Sequence, residues 1–431
     1  MKARHYIAAC LLLLIGADAS ASQMLTETES AVSASEPMDS TASIRACGNK
    51  ERKSNGILSM LTFSARGSYA FSSYRDDVLR DGLSMESADV THLASSLHLM
   101  YAFSYGPATE AGRHCPGARQ GIGVGVNLMG NPKGLGTPLS FYLLQGAPVA
   151  RLGHNLSLDY EWNFGLSAGW KRCDGDIAHS NLIVGSPVNA YINLGLLLNW
   201  RVAPEWSVTG GIEVTHFSNG NTSFPNPGVN LAGLRVGLTH TFGVPPARTE
   251  YTPDTTSLRH GITFDLTAYG AWRKRVYRGG DEPVLMNGHF PLAGLDLGVM
   301  YDVCRLFRAG ISADFQWDQS TDLRRHYYEG SDADDLKFYR PPFISQVCAG
   351  LSARAELVMP IFSVNLGIGY NLAGPEETHG SYQMANLKIY ATPGLFVNIG
   401  YQLLNFSRQN NLMLGIGYTF RSNRPRGLCI F

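Results

Sequence analysis

Two side chains capable of nucleophilic chemistry stand two residues apart, His216 and Ser218. A serine hydroxyl is a weak nucleophile until a base within hydrogen-bond reach takes its proton, and a third group must hold the imidazole in the useful tautomer. An ester is the natural substrate for such a pair. Taken alone, His-x-Ser is more often an interfacial polar pair than a catalytic one. Whether the pair is catalytic or only interfacial therefore depends on the secondary structure that carries it.

The chain around the pair alternates between apolar and polar residues, which is the pattern of β-strands. In the segment 155–170 every second residue from Leu156 to Trp170 is apolar, and the residues between them are polar or glycine. The segment 188–200 repeats this pattern, as do 234–242, 364–372 and 412–420. A soluble β-sandwich also alternates, but segments this long suit tilted strands that cross a membrane. The pattern favours a membrane-spanning barrel.

Counting the alternating segments predicts an all-β protein with a transmembrane antiparallel β-barrel. About eight segments lie between Leu61 and Phe242, and about eight more between Gly261 and Phe420, an even number in each half as bacterial barrels require. The halves look related, since Gly237-x3-Thr241-Phe242 has its counterpart in Gly415-x3-Thr419-Phe420. Two small barrels would be filled by side chains, whereas one large barrel would leave a channel. The sequence leaves both closures open.

Strand parity predicts the face on which the pair lies. His216 and Ser218 continue an apolar row that includes Trp206 and Val214, whereas Glu213 lies on the opposite, luminal face. The rise from Trp206 to His216 on a tilted strand is roughly 25 Å, the height of the apolar band. The short turn before Trp206 is of the periplasmic kind, and the long connection after Ser218 is of the outer kind. We therefore expect the pair in the outer leaflet, facing lipid.

The ends and the middle of the chain predict its domain organisation and compartment. Basic residues precede a short apolar run and small residues at the N-terminus, which is typical of a secretory signal peptide. The expected domains are a signal peptide (1–22), a disordered periplasmic linker (23–56), a first barrel (57–243), a linker (244–259), a second barrel-like repeat (260–421) and a tail (422–431). The expected location is the outer membrane of a Gram-negative cell.

Composition excludes several classes of function. The formal net charge of +0 gives no electrostatic case for binding nucleic acid. The cysteines are scattered without C-x-x-C spacing and predict no metal site, and no motif predicts a cofactor. Neither the disulfide pairing nor the oligomeric state follows from the sequence.

The segment that begins at His216 resembles a known family, the outer-membrane lipid A 3-O-deacylases, also called acyloxyacyl hydrolases. The resemblance rests on His-Phe-Ser-Asn at 216–219 and on the Pro-Asn-x-Gly-x-Asn stretch at 225–230, and it extends over residues 57–243. It implies an eight-stranded barrel whose outer wall removes an ester-linked acyl chain, the 3-O chain, from the lipid A of lipopolysaccharide. In such a site Ser218 would be the nucleophile and His216 the general base. Asn219 and Asn226 would be the candidates for holding the oxyanion.

One position departs from the family pattern. The best-known members place Glu where this chain has Asn230. Asn can orient a histidine, as in Cys-His-Asn proteases, but it brings no charge to stabilise the imidazolium, so a slower enzyme with a Ser-His-Asn triad is expected. Glu213 is the nearest acid but is expected to face the lumen. The second half carries Asn405 where the histidine would be, which predicts no active site there.

The alternative interpretation is a non-enzymatic outer-membrane barrel, either a channel or a structural protein that retains the motif as scaffold. His216 and Ser218 discriminate between the two functions. Because both are expected to face lipid, a channel would not need either side chain, whereas a hydrolase would fail without them.

Overall fold

The structure, a computed structural model, describes residues 56–71, 93–106, 109, 112, 115–130, 132–172, 183–224, 226, 228–243, 261–277, 284–286, 288–304, 306–323, 341–359, 361–406 and 408–421. The expected signal peptide, nearly all of the first linker, the second linker and the tail lie outside these residues. Within the described part of the chain, no helix is long and apolar enough to cross a bilayer.

The first half forms a closed barrel of eight antiparallel strands, each paired with the next, with β1 pairing with β8 to close the circle. A short helix, α1 (Pro132–Leu135), precedes the fourth strand. The strands are β1 (Ile57–Phe71), β2 (Leu93–Tyr105), β3 (Arg119–Met129), β4 (Gly136–Arg151), β5 (Leu156–Trp170), β6 (Val188–Ala203), β7 (Trp206–Ser218) and β8 (Val229–Phe242).

The second half closes in the same way, with its last strand paired to its first. Its strands are β9 (Ile262–Arg273), β12 (Phe290–Asp302), β13 (Phe307–Asp318), β14 (Val347–Val358), β15 (Phe362–Ala373), β16 (Gly380–Tyr390), β17 (Leu395–Leu404) and β18 (Arg408–Arg421), and a small hairpin of β10 (Val276–Tyr277) and β11 (Val284–Leu285) follows β9. The predicted all-β barrel fold is confirmed. Of the two closures left open by the sequence, the chain adopts two eight-stranded barrels.

Alternation along each strand sorts side chains between the lumen and the outer wall, as β7 shows. Ile212 and Val214 on the outer face are 60% and 50% exposed, whereas Glu213 between them is 4% exposed. An eight-stranded barrel has an interior just wide enough for side chains to fill. The outward apolar residues are therefore those that meet lipid, and the lumen is filled by polar side chains together with a cluster of buried aromatic and apolar ones.

The first lumen is crossed by buried ion pairs. Arg235 Nη1 lies 2.5 Å from Glu161 Oε1, Arg119 also pairs with Glu161, and Arg66 Nη1 lies 3.4 Å from Glu213. A buried charge is costly unless it is paired, and these contacts pair the charges of the lumen with one another.

The second lumen has the same kind of core. Lys388 Nζ bridges Asp265 at 2.6 Å and Glu356 at 2.7 Å, and Arg354 Nη2 lies 2.6 Å from Asp314. In the described residues both lumens thus hold ion-paired side chains, which is the arrangement of filled barrels rather than of water-filled channels.

The two barrels contact each other through the outer wall of β4 and β5. Gln145 faces outward yet is fully buried; Trp162 Nε1 donates to its Oε1 at 2.5 Å, and its Nε2 donates to the Tyr160 hydroxyl at 2.8 Å. Trp162 also packs edge-on against Phe362 of the second barrel, with ring centroids 6.0 Å apart. Trp162 therefore both satisfies an amide that would be costly in lipid and contacts the second barrel.

The connection between β2 and β3, which is long for a periplasmic turn, also lies at this interface. Cys115 and Ala118 pack against Met359, in the connection between β14 and β15. The extra length therefore supplies contacts to the second barrel.

Asn405 and Phe406 do not lie in a strand, unlike their counterparts His216 and Phe217. Asn405 and Phe406 adopt left-handed conformations with φ of 52° and 59°, in the turn between β17 and β18. Asn405 Oδ1 accepts a hydrogen bond from the backbone N–H of Ser381 at 3.0 Å. Asn405 therefore lies in a tight turn and not on a strand, because β17 ends at Leu404. Ser407 lies outside the described residues.

Candidate active site

The candidate site is built on the last residues of β7 and their neighbours across the sheet. In the strand register, His216 is paired with Asn230 on β8 and with Ile192 on β6, whereas Ser218 is paired with Ala190 on β6. His216 and Ser218 both belong to the outward row and are half-buried. The site therefore lies on the wall of the barrel, supported by regular strands on both sides.

The histidine and the asparagine are in direct contact. His216 Nδ1 lies 2.7 Å from Asn230 Oδ1. Because an amide oxygen can only accept a hydrogen bond, Nδ1 carries the proton in this contact and Nε2 is left as the acceptor nitrogen. This is the tautomer in which an imidazole can take a proton from a hydroxyl group.

Gly228 fits against the imidazole from the loop side. A Cβ atom built on this glycine would lie 2.9 Å from His216 Cε1 and 2.9 Å from the carbonyl oxygen of Phe217, and the glycine has φ of +79°. Both the space and the backbone conformation therefore require glycine. Sequence reasoning quoted Gly228 only as part of a motif, since nothing in its spacing shows which ring it faces.

The connection from β7 to β8 is tied back to the peptide next to Ser218. The backbone N–H of Asn219 donates to Asn226 Oδ1 at 2.9 Å. The hydroxyl of Thr222 donates to the Asn219 carbonyl at 2.8 Å, and Asn219 itself is buried. These bonds place the side chain of Asn226 beside the segment that carries Ser218 and make Asn219 part of the turn.

Between His216 and Ser218, Phe217 points into the lumen. It is 2% exposed, and its ring meets Trp170 edge-on with centroids 5.0 Å apart and Tyr191 at 5.4 Å. This aromatic group fixes the end of β7 from the inside, so the two outward side chains next to Phe217 project from a rigid strand.

The structure brings His216 and Asn230 into contact, but among the described residues the Ser218 hydroxyl does not contact His216 through a hydrogen bond. Glu213, the acid rejected on parity, lies in the lumen against Arg66, on the opposite side of the barrel wall. In the described part of the chain, no group of three or more His, Cys, Asp or Glu residues could hold a metal ion.

Comparison with protein families identifies the chain. A model described as lipid A 3-O-deacylase (PagL) matches residues 160–239, and one described as acyloxyacyl hydrolase, C-terminal domain, matches residues 262–423. The chain belongs to the lipid A 3-O-deacylase (acyloxyacyl hydrolase) family. The first match contains every candidate site residue. The second covers the second barrel, for which the sequence alone predicts only a related repeat.

Family membership confirms an outer-membrane location and indicates a lipid A deacylase, a hydrolase acting on lipopolysaccharide. Curated proteins gave no match.

Three solved structures that resemble the chain share little sequence with it. Neisserial surface protein A is 10% identical, with 43% of this chain and 99% of that chain covered and a TM-score of 0.28. The siderophore receptor PirA from Pseudomonas aeruginosa is 10% identical, with coverages of 84% and 80% and a TM-score of 0.25. Outer membrane phospholipase A from Escherichia coli is 10% identical, with coverages of 84% and 92% and a TM-score of 0.15. At these scores the likenesses carry no argument about function.

Proposed function

We propose that the first barrel is a serine esterase that removes the ester-linked acyl chain at the 3-O position of lipid A, with Ser218, His216 and Asn230 as its triad. The observation that carries this proposal is the 2.7 Å contact between His216 Nδ1 and Asn230 Oδ1 on the outer wall of the barrel. A histidine that meets only lipid would not need a partner that fixes its tautomer. A histidine that acts as a general base does.

The first half of the reaction transfers the acyl chain to the enzyme. Ser218 Oγ attacks the ester carbonyl carbon while His216 Nε2 takes the hydroxyl proton, and Asn230 holds the ring in place. The tetrahedral intermediate then collapses: the bond from the acyl carbon to the 3-oxygen of the sugar breaks, and His216 gives the proton to that oxygen. The products are an acyl-Ser218 ester and a free sugar hydroxyl.

The second half of the reaction regenerates the free enzyme. A water molecule, activated by His216, attacks the acyl-Ser218 carbonyl, and Ser218 leaves with the proton from the imidazole. The released product is a fatty acid. Both halves pass through an oxyanion, for which the side-chain amides of Asn219 and Asn226 are the proposed donors. The bond from Asn219 N–H to Asn226 Oδ1 supports Asn226 as a donor, because it holds this side chain beside the segment that carries Ser218.

The contact between serine and histidine must form when substrate binds. Catalytic hydrogen bonds are often long in the free enzyme and tighten only in the complex. Ser218 has room to turn, because its cross-strand neighbour on β6 is Ala190, a residue with a single methyl group. Rotation about one side-chain torsion then brings Oγ toward His216 on the same face of β7.

The environment of the site suits a lipid substrate. Below His216 the outward row of β6 consists of apolar side chains that are exposed, among them Ile192, Leu194 and Leu196. An acyl chain lying along this wall in the outer leaflet would reach the site with its ester at the height of the polar boundary. A substrate that is part of the membrane therefore needs no enclosed pocket.

Mass spectrometry of lipid A tests the proposal. The full chain is produced in cells whose lipid A carries the 3-O acyl chain, and wild type should remove one such chain. Ser218→Ala and His216→Ala should each abolish the change while keeping heat-modifiable migration, the sign of a folded barrel. Ser207→Ala, on the luminal face of the same strand, is the matched control and should behave as wild type. Deacylation by the Ser218→Ala protein would overturn the assignment.

A further inference from the structure

The loop that follows Ser218 rests on the second barrel. Asn221 Nδ2 donates to the backbone carbonyl of Asn410, on β18, at 3.3 Å. Beside it, Gly220 lies so close to Leu412 that a Cβ atom on the glycine would be 3.3 Å from both Cβ and Cδ1 of the leucine. One polar and one apolar contact therefore join the site loop to the same strand of the other barrel.

The two residues in contact form a bend in the loop. Gly220 and Asn221 are consecutive left-handed residues, with φ of 64° and 68°. The bend comes directly after Asn219, whose backbone N–H is held by Asn226 and whose carbonyl accepts the Thr222 hydroxyl. A shift of the bend would thus move Asn226 relative to Ser218.

On β18, the strand that contacts the loop, Asn410 is held by side chains of neighbouring strands. Arg273 Nη1 donates to the backbone carbonyl of Asn410 at 3.1 Å and to its Oδ1 at 2.9 Å. Asn410 Nδ2 donates to Gln402 Oε1 at 2.8 Å, and Arg273 is buried in an ion pair with Asp318. The carbonyl that Asn221 meets is therefore fixed by three strands of the second barrel.

We infer that the second barrel positions the catalytic loop of the first, with Asn410 and Leu412 as positioning residues that act through Asn221 and Gly220. The inference rests on the proposed function and extends it, because it gives the second barrel a part in the reaction. None of these residues touches the reacting atoms. Their effect is on the placement of the oxyanion donors, which act in the transition state, so kcat should respond more than KM.

Two full-length variants loosen the contact in different ways. Asn221→Asp keeps a residue that tolerates the left-handed conformation but replaces the amide donor by an oxygen that faces the Asn410 carbonyl. Leu412→Ala removes the side chain that packs on Gly220. The matched control is Leu414→Ala, the next outward residue on β18, which is 40% exposed. Heat-modifiable migration verifies folding for all three.

Two measurements on each protein in detergent micelles test the inference. Hydrogen–deuterium exchange followed by mass spectrometry should show faster exchange of the 219–224 amides in Asn221→Asp and Leu412→Ala, but not in Leu414→Ala. Deacylation kinetics should show kcat lowered roughly three- to tenfold in the two loop variants, the loss expected for one hydrogen bond or contact, with KM changed by less than about twofold. The control should match wild type in both.

The two measurements separate the inference from the proposed function. If the wild type shows no deacylation, the proposed function fails, while the exchange data still decide whether the second barrel holds the loop. If wild type is active and the loop variants keep its exchange pattern or its kcat, the positioning role is refuted and the esterase stands. The positioning role would also be refuted if Leu414→Ala changed amide exchange and kcat as much as Leu412→Ala does. The effect would then come from any truncation on the outer face of β18 and not from the contact with Gly220.

Discussion

Replacing Asn230 by alanine removes the contact that orients the imidazole of His216. The bond from Nδ1 to Oδ1 is 2.7 Å long and lies between half-buried groups. A neutral hydrogen bond of this kind contributes about 0.5 to 1.5 kcal/mol, and one to a charged group about 1.5 to 3 kcal/mol. Because the imidazole becomes charged as Ser218 attacks, the loss falls mainly on the transition state. We expect kcat to fall about 10- to 150-fold.

The assay compares three variants at position 230 with wild type, using purified protein in micelles and the release of fatty acid from lipid A. Asn230→Asp places a carboxylate at the same distance and should match or exceed wild type, since it can also stabilise the imidazolium. Asn230→Glu, which restores the residue of the best-known family members, should also be active. Asn230→Ala with the turnover of wild type would refute the reasoning, because the third member of the triad would have to be another residue.

Further predictions concern the surroundings of the site and the interface. Gly228→Ala should lower activity by at least about tenfold without preventing barrel closure, because the added methyl group meets the His216 ring and the positive φ disfavours it; the deacylation assay and heat-modifiable migration check both parts. Phe217→Ala should destabilise the first barrel by about 3 kcal/mol, the usual cost of removing a buried phenyl ring, as measured by urea unfolding in lipid vesicles. Burial raises the pKa of the Cys115 thiol to about 11, so at pH 8 it stays a protonated, shielded thiol; maleimide followed by peptide mass spectrometry should modify the exposed Cys304 in the folded protein and Cys115 only after unfolding.

Strand parity was enough to predict that His216 and Ser218 lie on the outward face of β7 and that Glu213 lies on the luminal face. Alternation is a local property, and each face of a strand can be read from its own residues. The contact with Asn230 could not be derived in this way. It depends on the register between β7 and β8 across a long loop, and only the family resemblance pointed to that position.

Features that depend on contacts between two distant segments also could not be predicted from the sequence. Gln145 lies in an outward row, which predicts contact with lipid, but it is fully buried beside Trp162, which packs against the second barrel. Asn405 takes the place of His216 in the second half, which is enough to predict no active site there, but the sequence does not show that the chain turns at Asn405 and Phe406. In both places the residue types alone do not show where a neighbouring strand ends or what lies against it.

The central claim, that Ser218 is a nucleophile activated by His216 on the outer wall, is tested most directly by covalent labelling. The full-length protein in micelles is treated with a long-chain alkyl fluorophosphonate, which phosphonylates activated serines, and its peptides are examined by mass spectrometry. We predict one adduct, on the peptide that contains Ser218, absent in Ser218→Ala and strongly reduced in His216→Ala. An adduct on a different residue, or an unlabelled Ser218 in a preparation that deacylates lipid A, would contradict the account.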